Sequence, residues 1–163
     1  MIKKFEDWLF ESEIRELTGE YVGSRQRRPI IFNSWDRRRK TFNFTAEGNS
    51  PYQLKLRVDD YTKVSRLKGT VKEKLDLALD GDVSLFCSCP SFRYNGYMYM
   101  ADQLAYGIKN QELFPGIRNP ELRGTVCKHL YQLMETIEDY TPGMEREVEE
   151  TLRREKEARR GAR

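Results

Sequence analysis

The sequence predicts an α+β fold: a small antiparallel sheet of about three strands, packed with helices, followed by a charged helical C-terminal tail. Three observations carry that expectation. Thr41 to Thr45 and Tyr52 to Val58 alternate apolar and polar residues with period two around a loop of turn formers. Val64 to Leu79 and Leu130 to Ile137 repeat their apolar residues every three or four positions, as helices do. All three cysteines and the single histidine fall into two tight pairs, Cys87 with Cys89 and Cys127 with His129, which a shared task would bring together.

Composition sets the scale. A chain of 163 residues fits one domain plus a tail. Charged residues make up 34% against 38% hydrophobic ones, so the core is expected to be small, with the 12% of aromatic residues standing in for scarce aliphatic side chains. A net charge of +3 is far from that of an arm-type DNA binder and names no partner by itself. No apolar run could cross a bilayer, and Met1 to Asp7 lacks the apolar stretch of a secretory signal, so a soluble protein of a reducing cytoplasm is expected. An odd number of cysteines argues against a disulfide framework.

The chain divides into four segments: an N-terminal amphipathic helix (1–20), a basic loop segment (21–40), an α+β metal-binding domain (41–140) with an insertion at 90–126, and a charged helical tail (141–163). In the first, Phe5, Trp8, Leu9 and Ile14 recur near the helical period among acidic residues. The second carries seven basic residues against one acid between Tyr21 and Lys40. Glu47 to Pro51 supplies the hairpin turn. Asp59 and Asp60 are placed to cap a helix bearing Val64, Leu67, Val71, Leu75 and Leu79, with Gly69 as its weak point and Asp80-Gly81-Asp82 as its stop.

Val83 to Cys89 alternates again. Period two puts Val83, Leu85, Cys87 and Cys89 on one face and Ser84, Phe86 and Ser88 on the other, with Pro90 ending the strand. Phe92 to Ile108 reads as one Tyr- and Met-rich helix, and Asn110 to Gly124 as a loop. The helix carrying Leu130, Leu133, Met134 and Ile137 is expected to stop near Thr141-Pro142-Gly143. Beyond it the tail is nearly all charge, with Val148 and Leu152 as its main apolar residues, and is expected to be solvated and to reach outward.

Cys87, Cys89, Cys127 and His129 are the candidate metal ligands. Three thiolates and one imidazole complete a tetrahedral zinc shell with no position left for water, so one structural zinc ion is expected rather than a catalytic one. Free cysteines are ordinary core residues, but they would seldom gather every cysteine and the only histidine into two pairs. In this reading Cys127 precedes the first turn of the Leu130 helix and His129 lies within it, so that the ion ties a strand end to a helix N-terminus.

Cys-x-Cys on a strand followed by Cys-x-His at a helix start resembles the SWIM-type zinc finger, with Phe86-Cys-Ser-Cys-Pro-Ser-Phe92 and Val126-Cys-Lys-His-Leu130 as its two halves. The resemblance implies the same four residues as zinc ligands. The 37 residues from Pro90 to Val126 exceed the usual gap and imply an inserted subdomain. Phe92-Arg-Tyr-Asn-Gly-Tyr97 together with Ile117 to Leu130 is similar to SWIM-like proteins of large tailed bacteriophages, some of them virion components. SWIM fingers are associated with both DNA and protein binding.

Catalysis finds little support. There is no glycine-rich phosphate loop, the one histidine is committed to metal, and no convergent set of carboxylates is visible, so neither an enzyme nor a small-molecule substrate is expected. The expected function is a structural and interaction protein, a bacteriophage virion subunit at the head-to-tail connector or neck, contacting other protein subunits. The alternative is a nucleic-acid-binding SWIM module gripping the backbone through Arg25, Arg27, Arg28, Arg37, Arg38, Arg39 and Lys40, with Phe32 and Trp35 between them for stacking. A solvated basic loop, or a surface answering the acidic first segment, accounts for the same residues. A zinc-dependent regulatory adaptor is a third reading. Tyr94, Tyr97, Tyr99 and Tyr106 suit packing or a subunit interface.

Overall fold

Alternating sequence builds an antiparallel sheet, and the computed structural model, which describes residues 27–103, 107–108, 116–117 and 126–161, shows it with four strands. These are β1 (Ile30–Asp36), β2 (Thr41–Ala46), β3 (Tyr52–Val58) and β4 (Val83–Cys87), in the order β1-β2-β3-β4. The expected N-terminal helix, Arg25, Tyr106 and about half of the insertion lie outside the described residues.

The period-two readings hold for β2 and β3, where Phe42, Phe44, Ala46, Leu54, Leu56 and Val58 are all at most 1% exposed. Burying a large apolar side chain this completely is worth about 1.5–3 kcal/mol, so these strands anchor the core. The basic segment expected as a loop contains the extra strand. β1 was hidden because its pattern is broken by a bulge between Phe32 and Ser34, which puts Trp35 opposite Phe42 and sends both inward. Trp35 lies 4.3 Å from the Phe42 ring and 5.0 Å from that of Tyr61. Buried there, it is not available to stack on a base.

The helix expected between Asp60 and Leu79 is two helices, α1 (Tyr61–Val64) and α2 (Val71–Leu79). Thr70 starts the second with a capping box: its hydroxyl accepts from the Glu73 amide and the Glu73 carboxylate accepts from the Thr70 amide. That hydrogen bond holds the Glu73 carboxyl below its ordinary range. Leu67 is consequently left 50% exposed in the connection rather than buried on a continuous stripe.

The long Tyr-rich helix is also interrupted. α3 (Pro90–Tyr94) and α4 (Tyr97–Gln103) are separated at Gly96, whose φ of 80° is costly for any side-chain-bearing residue. Gly107 then donates to the Ala101 carbonyl and bridges Leu85 of β4 in parallel, while the Ile108 amide bonds the Leu85 carbonyl. A Cβ at Gly107 would meet the Ala101 carbonyl carbon at 3.1 Å, so the close approach requires glycine. The insertion thereby covers the far edge of the sheet. All five β4 residues are buried, Ser84 under hydrogen bonds with Arg57 and Asp59 and Phe86 edge-on to Phe92.

The last two helices are α5 (Lys128–Glu135) and α6 (Ile137–Gly161). Leu130, Leu133, Met134 and Ile137 are buried as the stripe predicts, but Thr136 divides them between two helices. The expected stop at Thr141-Pro142-Gly143 is absent, and α6 runs straight through Pro142. Tyr140 packs edge-on to Phe44, its hydroxyl donates to the Ile30 carbonyl, and Met144 and Val148 are buried. The first half of the tail therefore packs one side against the core through Met144 and Val148, with Pro142 and Arg146 exposed on the other, and no residue beyond Val148 is buried among the described ones. No helix among the described residues is long and apolar enough to cross a membrane.

Candidate metal centre

β4 delivers Cys87 at its last position, and the chain then turns so that Cys89 becomes the N-cap of α3. Cys89 is extended (φ −68°, ψ 150°), as the residue before a proline prefers, with Pro90 opening the helix. The two thiols thus do not share a strand face as period two implied; a turn brings them together. Ser88 fixes that turn, its amide donating to the Gln53 carbonyl and its hydroxyl accepting from the Gln53 amide. On the other side Cys127 is the N-cap of α5 and His129 lies in the first turn, as expected.

The four ligand atoms lie within 4.8 Å of one another. Cys87, Cys89, Cys127 and His129 are 0%, 1%, 1% and 2% exposed, and no disulfide joins the three thiols. Cys87 Sγ is 3.9 Å from His129 Nδ1. The Cys89 amide points at Cys87 Sγ (3.5 Å) and the Phe92 amide at Cys89 Sγ (3.3 Å). Both bonds favour a thiolate over a thiol, and two helix N-termini add to the same field.

Two features fit a cation. His129 presents Nδ1 to the Cys87 sulfur, where coordination would fix the ring's tautomer and orientation, while Nε2 is buried with no hydrogen-bond partner among the described residues. The thiols also compete for protons. Burial pushes Cys127 well above the ordinary cysteine range, with the Cys87 and Cys89 sulfurs adding to the shift. Hydrogen bonds from Cys127 and Cys87 lower Cys89. Burial and the neighbouring sulfurs thus disfavour three thiolates side by side. A multivalent cation would supply the charge that lets all three be thiolates.

The surroundings tie the centre to the basic segment. The Tyr52 ring lies 5.0 Å from the His129 ring, and the Arg28 guanidinium sits over that same Tyr52 ring, 4.8 Å from its centroid. Gln132, one turn beyond His129, accepts from the Arg28 amide (3.2 Å) and donates to the Arg28 carbonyl (2.6 Å). Arg27 pairs with Glu135 at 3.1 Å. Tyr52 and Gln132 were missed from sequence; the available signal was that Gln132 follows His129 by three and shares its side of α5.

The other basic candidates go elsewhere. Arg37 pairs with Glu155 of α6, Arg39 with Asp36, and Lys40 Nζ reaches the Asp59 carbonyl at 3.4 Å. Arg38 is exposed and makes no hydrogen bond or ion pair among the described residues. The structure thus gathers the four metal candidates and spreads the basic ones over two places, Arg27 and Arg28 against α5 and Arg37 to Lys40 in the β1–β2 turn. No protein-family model, no curated protein and no solved structure matches this chain.

Proposed function

We propose that this chain is a non-enzymatic structural and interaction protein, fastened by one zinc ion on Cys87, Cys89, Cys127 and His129. The observation that carries the reading is the convergence of four buried soft ligands from three elements. Three sulfurs and one imidazole suit zinc among common metals, and a full protein shell leaves no site for substrate or water. The ion would hold β4, α3 and α5 in one arrangement, which matters in a domain whose core is small.

The setting we propose is a bacteriophage particle, at its connector or neck, on the sequence resemblance given above. Exposed Leu67, Leu77 and Tyr94 offer apolar contacts to neighbouring subunits. Native mass spectrometry of the full chain tests the metal, with one zinc per chain expected and a metal-free mass with unchanged thermal unfolding counting against it. Peptides of this chain in purified particles test the setting, and their absence from particles while present in infected cells would remove it.

A further inference from the structure

We infer that the β1–β2 turn and the last turns of α6 together form a binding cleft for the phosphodiester backbone of double-stranded nucleic acid. The inference is independent of the metal. The cleft has a volume of about 310 Å³ and is lined by Arg37, Leu152, Glu155, Lys156, Arg159 and Arg160. Arg37 reaches across from the turn to pair with Glu155, so the two elements are fastened to each other and the charge of that pair is spent internally.

What remains is uncompensated. Lys156, Arg159 and Arg160 lie three and four residues apart, hence on one side of α6, and make no ion pair or hydrogen bond among the described residues. Arg38, exposed on the same turn beside Arg37, is a fourth unpaired cation among the described residues, next to the lining rather than in it. Like charges gathered on one concave surface repel, and a polyanion is the ligand that relieves the repulsion. Cations in the last turn of a helix also complement its dipole, but that does not account for Arg38 or for a cleft that joins a hairpin to a helix.

The lining selects among polyanions. Guanidinium groups predominate, and their fork matches phosphate oxygens. Leu152, 37% exposed, is the only apolar side chain in the lining among the described residues, whereas protein interfaces have an apolar centre. Among the described residues no aromatic ring lines the cleft, and Trp35 is buried between Phe42 and Tyr61, so these residues give a single strand no stacking platform. A duplex backbone, held without reading its sequence, is the remaining fit.

Fluorescence anisotropy of the full chain with a mixed-sequence duplex, from about 50 to about 200 mM salt, tests this. Four free cations give an expected slope of log K against log salt of about −3 to −4. Lys156→Ala with Arg159→Ala and Arg160→Ala should weaken binding at least about tenfold and reduce the slope by about 3, and Arg38→Ala should reduce it by about 1. Arg27→Ala, whose guanidinium is taken by Glu135, should leave both unchanged. Unchanged binding in the triple variant, with a lowered melting temperature, would assign these cations to the helix end and overturn the proposal. Equal affinity for polyglutamate would assign the cleft to an acidic protein, and equal affinity for single strands would remove the duplex.

Discussion

Cys87 Sγ and His129 Nδ1 lie 3.9 Å apart across 42 residues of chain. One belongs to the end of the last strand and the other to the first turn of α5, and nothing in the local backbone of either dictates the contact. The two meet because the sheet and α5 pack through Leu130 and Leu133, which are at most 1% exposed. The centre is therefore assembled by the core, and a bound ion would in turn hold the core together.

Removing the metal should show this coupling. Chelation or Cys127→Ser should take zinc from one ion per chain to none and lower stability by on the order of 3 kcal/mol or more. Metal analysis and thermal unfolding on the same samples check it.

Acid should have the same effect as a chelator. Coordination needs Cys87, Cys89 and Cys127 as thiolates and His129 neutral, so protons and metal compete. The stabilisation is present near neutral pH and lost as pH falls, with release of the ion. A zinc-sensitive dye followed during an acid titration should report metal at the same pH at which the unfolding temperature drops.

Gln132→Ala removes both hydrogen bonds to the Arg28 backbone, which are part-buried. Leaving those groups unsatisfied should cost about 1–3 kcal/mol. Metal content should stay at one, because Gln132 holds the Arg28 backbone and not the ion. Denaturant unfolding with metal analysis separates the two effects.

Thr70→Ala deletes the capping box of α2 and should cost about 1 kcal/mol. The loss should appear as faster amide exchange in the first turn of α2 as well as in global stability.

Pro142→Ala should act in the opposite direction. Pro142 lies inside α6, where it cannot donate to the carbonyl four residues earlier. Alanine would restore that donor and should stabilise the protein by up to about 3 kcal/mol. The same change at the neighbouring Gly143 should not, since a Cβ there would meet the Phe32 ring at 3.3 Å. Comparing the unfolding midpoints of the two variants checks both.

The α+β class and all four metal candidates were legible because each rests on a local signal: period two in β2 and β3, period 3.6 in α2 and α5, and the pairing of rare residue types. What was not legible depended on distant contacts or on signals that point two ways. The bulge at Phe32 to Ser34 disguised β1 as part of a basic loop. The Thr70 to Glu73 capping box was present in the sequence, but the apolar spacing on either side made one long helix look sufficient. Pro142-Gly143 is a strong stop signal in an isolated chain, overridden here by the burial of Met144 and Val148 and the packing of half-buried Tyr140 on Phe44. Gln132 and Tyr52 acquire their roles only once α5 lies beside β3.

The bridge between Leu85 and Gly107 carries one more consequence. With β4 bridged along that stretch, β1 is the other edge of the sheet among the described residues, and its ladder is broken by the bulge and followed by the four basic residues Arg37 to Lys40. Strand-to-strand addition between copies is obstructed at both sides of the sheet. A protein concentrated in a crowded assembly would then associate through side chains and resist growing into fibres.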